Sequence, residues 1–354
     1  MSKFSSKRLS GVKPYVAGEQ PQDKKYIKLN TNESPFPPSP FAQRLARESA
    51  GDMLLYPDPD YKSLTEIAAE KWGVKPTEIL FTNGSDEALN FAFIAFCDQD
   101  TPAVFADITY GFYPVFAEIN GVPKKIIPLK DDFTIDIKDY FGVSGTVFIA
   151  NPNAPTGIAL KKSDIEKIVK ANPDNIVVID EAYVDFGAET CVPLINKYDN
   201  LIITQTFSKS RSLAGARLGL AIANESLIND LKTVKFSTNP YNISRMSAAA
   251  GIGAIGDEEY FNANCAAIMK TRETFTDGLK KSGFTVLPSK ANFVFAKSGS
   301  LSGEKLYTEL KKRGILVRHF NLPRIKDFVR ITIGDNKDME RTLCVISDIL
   351  KVIK

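Results

Sequence analysis

The stretch Asn175-Ile176-Val177-Val178-Ile179-Asp180-Glu181-Ala182-Tyr183 indicates the fold of this chain. It opens with a short apolar, β-branched run and ends in polar residues, which is typical of a strand buried on both faces of a sheet. Similar runs lie at 103–106, 125–128, 146–150 and 201–204, and helical apolar spacing marks 64–72 and 87–97. Strands alternating with helices predict an α/β fold, with a mainly parallel sheet sandwiched by helices.

The pattern changes near residue 257. A long polar-faced helix is followed by further strands and helices, at 258–281, 293–296, 302–313, 316–318 and 328–333, with an amphipathic helix at the end. This order predicts a smaller α+β domain. We therefore expect an N-terminal arm at 1–30 that packs with the small domain, a large domain at 31–256 and a small domain at 257–354.

Composition argues against several classes of function. The 354 residues carry a net charge of +3 with interleaved signs, so we expect neither nucleic-acid nor membrane binding. No run approaches the ~20 apolar residues of a membrane helix, and residues 1–18 lack the apolar run of a signal peptide. Four scattered cysteines indicate free thiols in a reducing, cytoplasmic compartment. The single histidine, His319, argues against a zinc site or a Ser-His-Asp triad, and no metal is expected.

Reactive polar residues follow the predicted strands. Asp180 and Tyr183 end the opening stretch, and Lys209 ends Ile203-Thr-Gln-Thr-Phe-Ser-Lys209. The carboxyl ends of parallel strands are where such folds bind ligands. Each residue also has an ordinary explanation, because acidic residues end strands as metal ligands or helix caps and most lysines are solvated.

A third segment, Phe81-Thr-Asn-Gly-Ser-Asp-Glu-Ala88, ends a strand in a Gly-Ser turn that opens a helix. Free N–H groups at a helix N-terminus bind anions, although a simple cap by Ser85 or Asp86 is commoner. Together the three segments supply what pyridoxal-phosphate (PLP) chemistry needs. The lysine forms an imine with the cofactor aldehyde, and the turn, hydroxyls and Arg217 hold its phosphate. Asp180 keeps the ring nitrogen protonated, and Lys209 moves the proton between the substrate Cα and the cofactor.

The chain resembles fold-type I PLP enzymes of the aspartate aminotransferase class, and among them the histidinol-phosphate aminotransferases. The matching motifs cover nearly the whole chain: Pro14-Tyr15, Leu29-Asn-Thr-Asn-Glu33, Tyr56-Pro57, Asn83-Gly-Ser-Asp-Glu87, Thr109-Tyr-Gly111, Asn151-Pro-Asn-Ala-Pro-Thr-Gly157, Asp180-Glu-Ala-Tyr183, Thr206-Phe-Ser-Lys209, Arg217 and Val329-Arg-Ile-Thr-Ile-Gly334.

The resemblance implies a role for each matched position. Lys209, Asp180 and Tyr183 are the implied catalytic residues, Tyr110 stacks on the ring and Tyr183 bonds its phenolic oxygen. The remaining cofactor-binding residues are Ser85, Asp86, Glu87, Asn153, Thr206, Ser208 and Arg217, with Tyr56 reaching the phosphate from the partner subunit of a homodimer. Tyr15, Arg318 and Arg330 are expected to bind the substrate and its anionic group.

One position departs from the family pattern. The family usually has Asn immediately before Pro-Thr-Gly, where it bonds the cofactor's phenolic oxygen, whereas this chain has Ala154. Either Asn153 or Asn151 takes that role, or Tyr183 acts alone; we favour Asn153.

The resemblance implies transamination between L-histidinol phosphate and 2-oxoglutarate, in histidine biosynthesis, so the expected partners are a small amino donor and a 2-oxo acid. The alternatives on this fold are an aromatic amino-acid aminotransferase, a threonine-phosphate decarboxylase and a protein that has lost catalysis. From another class, Gly251-Ile-Gly-Ala-Ile-Gly256 matches a dinucleotide-binding motif, but the preceding residues are predicted helical, so helix packing is favoured. A substrate contact and a structural role both remain open for His319.

Overall fold

The computed structural model describes residues 2–6, 9 and 11–353. Residues 1, 7, 8 and 10 of the predicted arm therefore lie outside the described part. So does residue 354 of the predicted small domain. Thirteen strands occur in the described residues: β1 (Ile27–Lys28), β2 (Ile79–Thr82), β3 (Ala103–Ala106), β4 (Lys124–Ile127), β5 (Thr146–Ala150), β6 (Val177–Asp180), β7 (Leu201–Thr206), β8 (Gly219–Ala223), β9 (Phe284–Val286), β10 (Phe293–Ser298), β11 (Ile315–Leu316), β12 (Arg318–His319) and β13 (Phe328–Thr332).

The largest sheet has seven strands, in the order β2-β8-β7-β6-β5-β3-β4. Five of them, β7, β6, β5, β3 and β4, run parallel, and β8 is antiparallel to both of its neighbours. Strands β5 and β6 are buried at every residue, because helices cover both faces. The α/β fold with a mainly parallel sheet is thus confirmed.

The helices, besides short 3₁₀ turns, are α1 (Pro40–Glu48), α2 (Lys62–Trp72), α3 (Ser85–Phe96), α4 (Tyr113–Asn120), α5 (Lys162–Lys170), α6 (Glu225–Thr238), α7 (Arg245–Gly256), α8 (Glu258–Lys281), α9 (Gly303–Lys312) and α10 (Asn336–Ile353). Among the helices described, none is long and apolar enough to cross a membrane. The glycine-rich motif at 251–256 lies inside α7, where a Cβ on Gly253 would come 2.6 Å from the backbone of Ala42. It is a helix-packing feature rather than a dinucleotide-binding loop.

A second, antiparallel sheet has the order β12-β13-β10-β9 and packs with α8, α9 and α10 around its own apolar core. The N-terminal segment joins this part of the molecule, because β1 pairs in parallel with β11 and Thr332 donates its N–H to the carbonyl of Leu29. The smaller α+β unit is therefore present, while the proposed boundaries at 30/31 and 256/257 stay predictions.

Candidate active site

The site is a cavity, partly open to solvent, at the carboxyl ends of β6 and β7. The N-terminus of α3 closes one end of the cavity, strands β12 and β13 close the other, and residues 30–32 form one wall. A concave pocket that brings several polar side chains together is typical of a small-molecule site.

Twelve of the fifteen predicted site residues line this single cavity: Tyr15, Ser85, Asp86, Tyr110, Asp180, Tyr183, Thr206, Ser208, Lys209, Arg217, Arg318 and Arg330. They lie in the N-terminal segment, in or next to the large sheet and its helices, and in the small sheet. Up to 315 residues of chain separate them, from Tyr15 to Arg330.

Asp180, the last residue of β6, is buried beside the cavity. Its carboxylate accepts hydrogen bonds from the Tyr113 hydroxyl at 3.3 Å, the Thr204 hydroxyl at 3.4 Å and the Ala182 N–H at 3.2 Å. Burial, and then the nearby Asp86 carboxylate, raise the pKa of Asp180 to about 7, which the three hydrogen bonds only partly offset. A buried carboxylate of this kind is ready to pair with a cationic ligand group.

Lys209 projects its amine toward the same cavity. The amine donates to the Thr31 carbonyl oxygen at 3.2 Å and lies 5.9 Å from the centre of the Tyr183 ring. Desolvation, followed by repulsion from the Arg330 guanidinium, lowers the pKa of Lys209 to about 8. The lowered pKa increases the fraction of neutral amine near neutral pH, and attack on a carbonyl requires the neutral form.

One end of the cavity is built to bind an anion. The first N–H groups of α3, at Ser85 and Asp86, have no acceptor within the helix and face the cavity. Gly219 of β8 permits this approach, because a Cβ there would come 2.3 Å from the Ser85 nitrogen. Gly84, at φ +76°, makes the turn.

Two hydroxyls and a guanidinium complete the anion-binding end. The Thr206 and Ser208 hydroxyls are 3.0 Å apart, and Arg217 lies 3.5 Å from the Ser208 oxygen. Arg217 also pairs with the Asp86 carboxylate at 3.2 Å, and the Tyr110 hydroxyl donates to the other oxygen of Asp86 at 2.6 Å. These donors match a phosphate dianion.

Two guanidiniums line the opposite end. Arg318 of β12 and Arg330 of β13 are paired directly across the small sheet. Arg330 donates to the Asn30 carbonyl at 3.0 Å, and its buried Nε has no partner among the described residues. Desolvation lowers the pKa of Arg330. The two adjacent guanidiniums lining one cavity indicate a second anion site.

Arg318 also holds the N-terminal segment over the cavity. Its guanidinium donates to the carbonyls of Val16 and Ala17, at 2.7 and 3.2 Å. Tyr15 stacks on Phe112 with ring centres 4.2 Å apart, which places it at the rim. His319 bonds the Lys326 carbonyl at 2.7 Å and is not among the residues that line the cavity, so its contacts are structural.

Three predicted site residues lie outside the cavity of the single chain. Glu87 is turned away from it, because its carboxylate accepts the Asn83 N–H at 2.6 Å and also bonds Asn242. Tyr56 is 76% exposed on its own surface, where it stacks on Tyr241. A direct role for Glu87 at the cofactor has no support from this placement.

Asn153 is the third. Its amide nitrogen donates to the Ile108 carbonyl at 3.0 Å and the Thr156 hydroxyl at 3.1 Å, and its oxygen accepts from Thr109 at 2.8 Å. The Asn151 amide likewise bonds the backbone of Leu160, donating to its carbonyl and accepting from its N–H. Neither amide reaches the cavity, so the geometry does not favour Asn153 as the replacement for the asparagine missing at 154.

Half of the cavity-lining residues without a predicted role come from the N-terminal segment. Asn30, Thr31 and Asn32 line the cavity, together with Gly18, and the Asn32 amide donates to the Tyr183 hydroxyl at 2.9 Å. The motif Leu29–Glu33 was visible in the sequence, but nothing in it indicated which side chains face the site.

Known proteins resemble this chain over its whole length. A model of the family "Aminotransferase class I and II" matches residues 24–346. The histidinol-phosphate aminotransferase of Brachyspira hyodysenteriae is 48% identical over 353 residues, which is 99% of this chain and 100% of that protein. The chain belongs to the class I and II aminotransferases. Within them it belongs with the histidinol-phosphate aminotransferases, so the expected enzyme class is confirmed.

Solved structures of such enzymes share the fold. The histidinol-phosphate aminotransferase from Clostridium acetobutylicum has a TM-score of 0.85 at 26% identity and covers 92% of this chain and 99% of its own. The one from Sinorhizobium meliloti, in complex with pyridoxal-5'-phosphate, has a TM-score of 0.90 at 23% identity and covers 100% and 99%.

The donor set of this aminotransferase fits PLP. The cofactor needs an anion site for its phosphate, a carboxylate for its ring nitrogen, an amine for its aldehyde carbon and a donor for its phenolic oxygen. The α3 turn with Arg217, then Asp180, Lys209 and Tyr183 offer these groups around one cavity. Among the described residues, no cluster of three or more His, Cys, Asp or Glu side chains could hold a metal ion.

Proposed function

We propose that this aminotransferase exchanges an amino group between L-histidinol phosphate and 2-oxoglutarate, giving imidazole acetol phosphate and L-glutamate, in histidine biosynthesis. The paired guanidiniums of Arg318 and Arg330, facing the cavity that holds Lys209 and Asp180, carry the proposal. Their donors suit a phosphate monoester in one half-reaction and a carboxylate in the other. The 48% identity to a histidinol-phosphate aminotransferase supports the same substrate.

Bound PLP supplies an electron-accepting ring that stabilises the negative charge formed when the substrate Cα–H bond breaks. Ser85 and Asp86, through their N–H groups, and Thr206, Ser208 and Arg217 would hold its phosphate. Asp180 would keep the ring nitrogen protonated, and Tyr110 would cover the ring face.

Lys209 has two tasks in this scheme. Its amine would carry the cofactor between turnovers and, once released, would take the proton from the substrate Cα and return it to the C4′ carbon of the cofactor. The pKa lowered to about 8 supports this role, because the amine must be neutral to accept the proton. Tyr183 would donate to the phenolic oxygen.

We further propose that the catalytic unit is a homodimer in which Tyr56 reaches the partner's phosphate site. Four consecutive apolar residues, Met53, Leu54, Leu55 and Tyr56, are each at least 60% exposed in the single chain, and contiguous exposed apolar residues are typical of an interface. The Arg245 guanidinium donates to the carbonyls of Leu55 and Tyr56, at 3.0 and 2.7 Å, so the patch has a fixed shape.

We also propose a cytoplasmic location. The free thiols support a reducing, cytoplasmic compartment.

A panel of amino donors with 2-oxoglutarate tests the substrate proposal. We expect kcat/KM for L-histidinol phosphate to exceed that for phenylalanine or tyrosine by at least about 100-fold, because a phosphate dianion offers the two guanidiniums more charge and more acceptor oxygens than the carboxylate of an amino acid. Coupled detection of glutamate measures the rates. An enzyme that used phenylalanine equally well would refute the substrate assignment.

Replacing Arg330 should separate substrate binding from cofactor binding. Arg330→Ala removes at least two charge-assisted bonds, so we expect KM for histidinol phosphate to rise by about 100-fold or more. The dissociation constant of PLP should change less than about threefold. Arg341→Ala, which removes an exposed arginine from α10, is the matched control. Equal losses in PLP affinity and KM would place Arg330 at the cofactor instead.

A further inference from the structure

Tyr183 has a hydrogen-bond partner that the sequence did not indicate. We propose that Asn32 is a positioning residue, which binds the Tyr183 hydroxyl oxygen and thereby directs the Tyr183 proton to the phenolic oxygen of the cofactor. This inference rests on the proposed use of PLP. It deepens that proposal by naming the amide that serves the site when position 154 is alanine.

The loop at 151–157 offers no amide for this purpose. Pro152 and Ala154 are its members that line the cavity, and the side chains of Asn151 and Asn153 are bonded elsewhere. Asn32 is 1% exposed, lines the cavity, and places its Nδ2 2.9 Å from the Tyr183 hydroxyl. It is thus the amide that contacts the phenol.

The orientation of the Asn32 amide follows from its other bonds. The Asn32 N–H donates to the Thr332 hydroxyl at 3.0 Å, and that hydroxyl donates to Asn32 Oδ1 at 2.9 Å. Rotating the amide by half a turn would leave the buried Thr332 proton without an acceptor among the described residues. Asn32 therefore presents its NH₂ group, a donor, to Tyr183.

The backbone holds Asn32 in this position. Its φ of +57° is left-handed, a conformation that asparagine adopts more readily than most residues. The Asn292 amide donates to the Asn32 carbonyl at 3.0 Å, and Thr332 ends β13. Asn32 is thus fixed to the small sheet, whereas Tyr183 follows β6 of the large sheet.

The consequence concerns the Tyr183 proton. Because Asn32 donates to the phenol oxygen, the Tyr183 O–H must point elsewhere, and the cavity is the open direction. The bond from Asn32 also polarises the phenol and strengthens its own donation. The nitrogen that would link Lys209 to the cofactor shares its proton with the cofactor's phenolic oxygen. A hydrogen-bond donor at that oxygen makes it a weaker acceptor for this proton and so lowers the pKa of the nitrogen.

The test follows the pH at which the visible absorption band of the bound cofactor changes. Asn32→Ala should raise this midpoint by about 0.5–1 pH unit, the effect of one hydrogen bond. Asn32→Asp has nearly the same shape but only acceptors, so it should draw the Tyr183 proton away and raise the midpoint at least as much as Tyr183→Phe does. In the Tyr183→Phe background, Asn32→Ala should add nothing.

Asn292→Ala is the matched control, because it removes one bond to the Asn32 backbone but leaves the amide that donates to the phenol; its midpoint should shift less than that of Asn32→Ala. A purely structural role for Asn32 predicts a silent Asn32→Asp variant and equal effects of Asn32→Ala with and without the Tyr183 hydroxyl, and either result would overturn the inference. A wild-type protein with no visible band after incubation with PLP would instead refute the proposed use of the cofactor.

Discussion

Lys209→Ala should abolish transamination, lowering kcat by at least about 10³-fold, while the fold survives. The variant loses both the amine that carries the cofactor and the base that moves the proton, and proton transfer alone contributes about 10²–10⁴-fold. The pKa of Lys209 is lowered by burial, so the charged amine opposes folding and its removal should not destabilise the protein. Kinetics and thermal unfolding measure the two effects.

Borohydride treatment gives an independent readout. In the wild type it should fix PLP to the peptide that contains residue 209, identified by mass spectrometry, and in Lys209→Ala it should fix none. Lys297→Ala removes an exposed lysine of β10 and should behave as the wild type. A fully active Lys209→Ala enzyme would contradict the proposed mechanism.

The same variant tests the dimer. If Tyr56 serves the partner's site, a mixed dimer of Lys209→Ala and Tyr56→Ala chains contains one site with both residues intact. Equal mixing should then restore activity to roughly a quarter of the wild-type sites, although each parent is impaired. If Tyr56 served its own chain, no mixed site would be complete and no activity would return.

The sequence specified the large sheet because its strands are continuous apolar runs. Strands β3 and β5 and helix α8 have the predicted bounds. Strand β8, Gly-Leu-Ala-Ile-Ala, was missed because glycine and alanine carry little strand preference. Its antiparallel direction depends on pairing with β2 and β7, which no local pattern encodes.

The candidate site was predictable where it follows from the sheet. Asp180 is the last residue of β6, and Lys209 follows the end of β7 by three residues. Because β6 and β7 are parallel neighbours, the two side chains lie close together at the same edge of the sheet. Asn32 was not predictable, because its position depends on the pairing of Ile27–Lys28 with Ile315–Leu316, almost 290 residues away. The amides at 151 and 153 were both candidates in the sequence, with Asn153 favoured, and only the hydrogen bonds in the structure show that both are held away from the site.

Asp180→Asn should have opposite effects on stability and on activity. Burial and the Asp86 carboxylate raise the pKa of Asp180 to about 7, whereas an aspartate in the unfolded chain titrates near pH 4. Between these values the folded protein without cofactor binds a proton that the unfolded chain has lost, so its free energy of unfolding falls as pH rises. The variant lacks this cost and should be more stable by roughly 1–4 kcal/mol at pH 8, with little difference near pH 4.

Glu181 provides the matched control. Burial raises its pKa to about 7 as well, but its carboxylate bonds Thr190, Cys191 and Gln205 instead of facing the cavity. Its titration contributes equally to both proteins and cancels from the difference in unfolding free energy between wild type and Asp180→Asn. Glu181→Gln should retain most of the wild-type kcat.

Activity should change in the other direction, because the carboxylate that opposes folding is the group expected to hold positive charge on the cofactor ring. Loss of a fixed charge at a reacting centre costs about 10²–10³-fold in rate, so kcat of Asp180→Asn should fall by that amount. A variant that keeps wild-type kcat, or that is less stable than the wild type at pH 8 without cofactor, would contradict this account. If Asp180→Asn is more stable but turns over more slowly, then the buried carboxylate serves binding of the cofactor rather than stability of the fold.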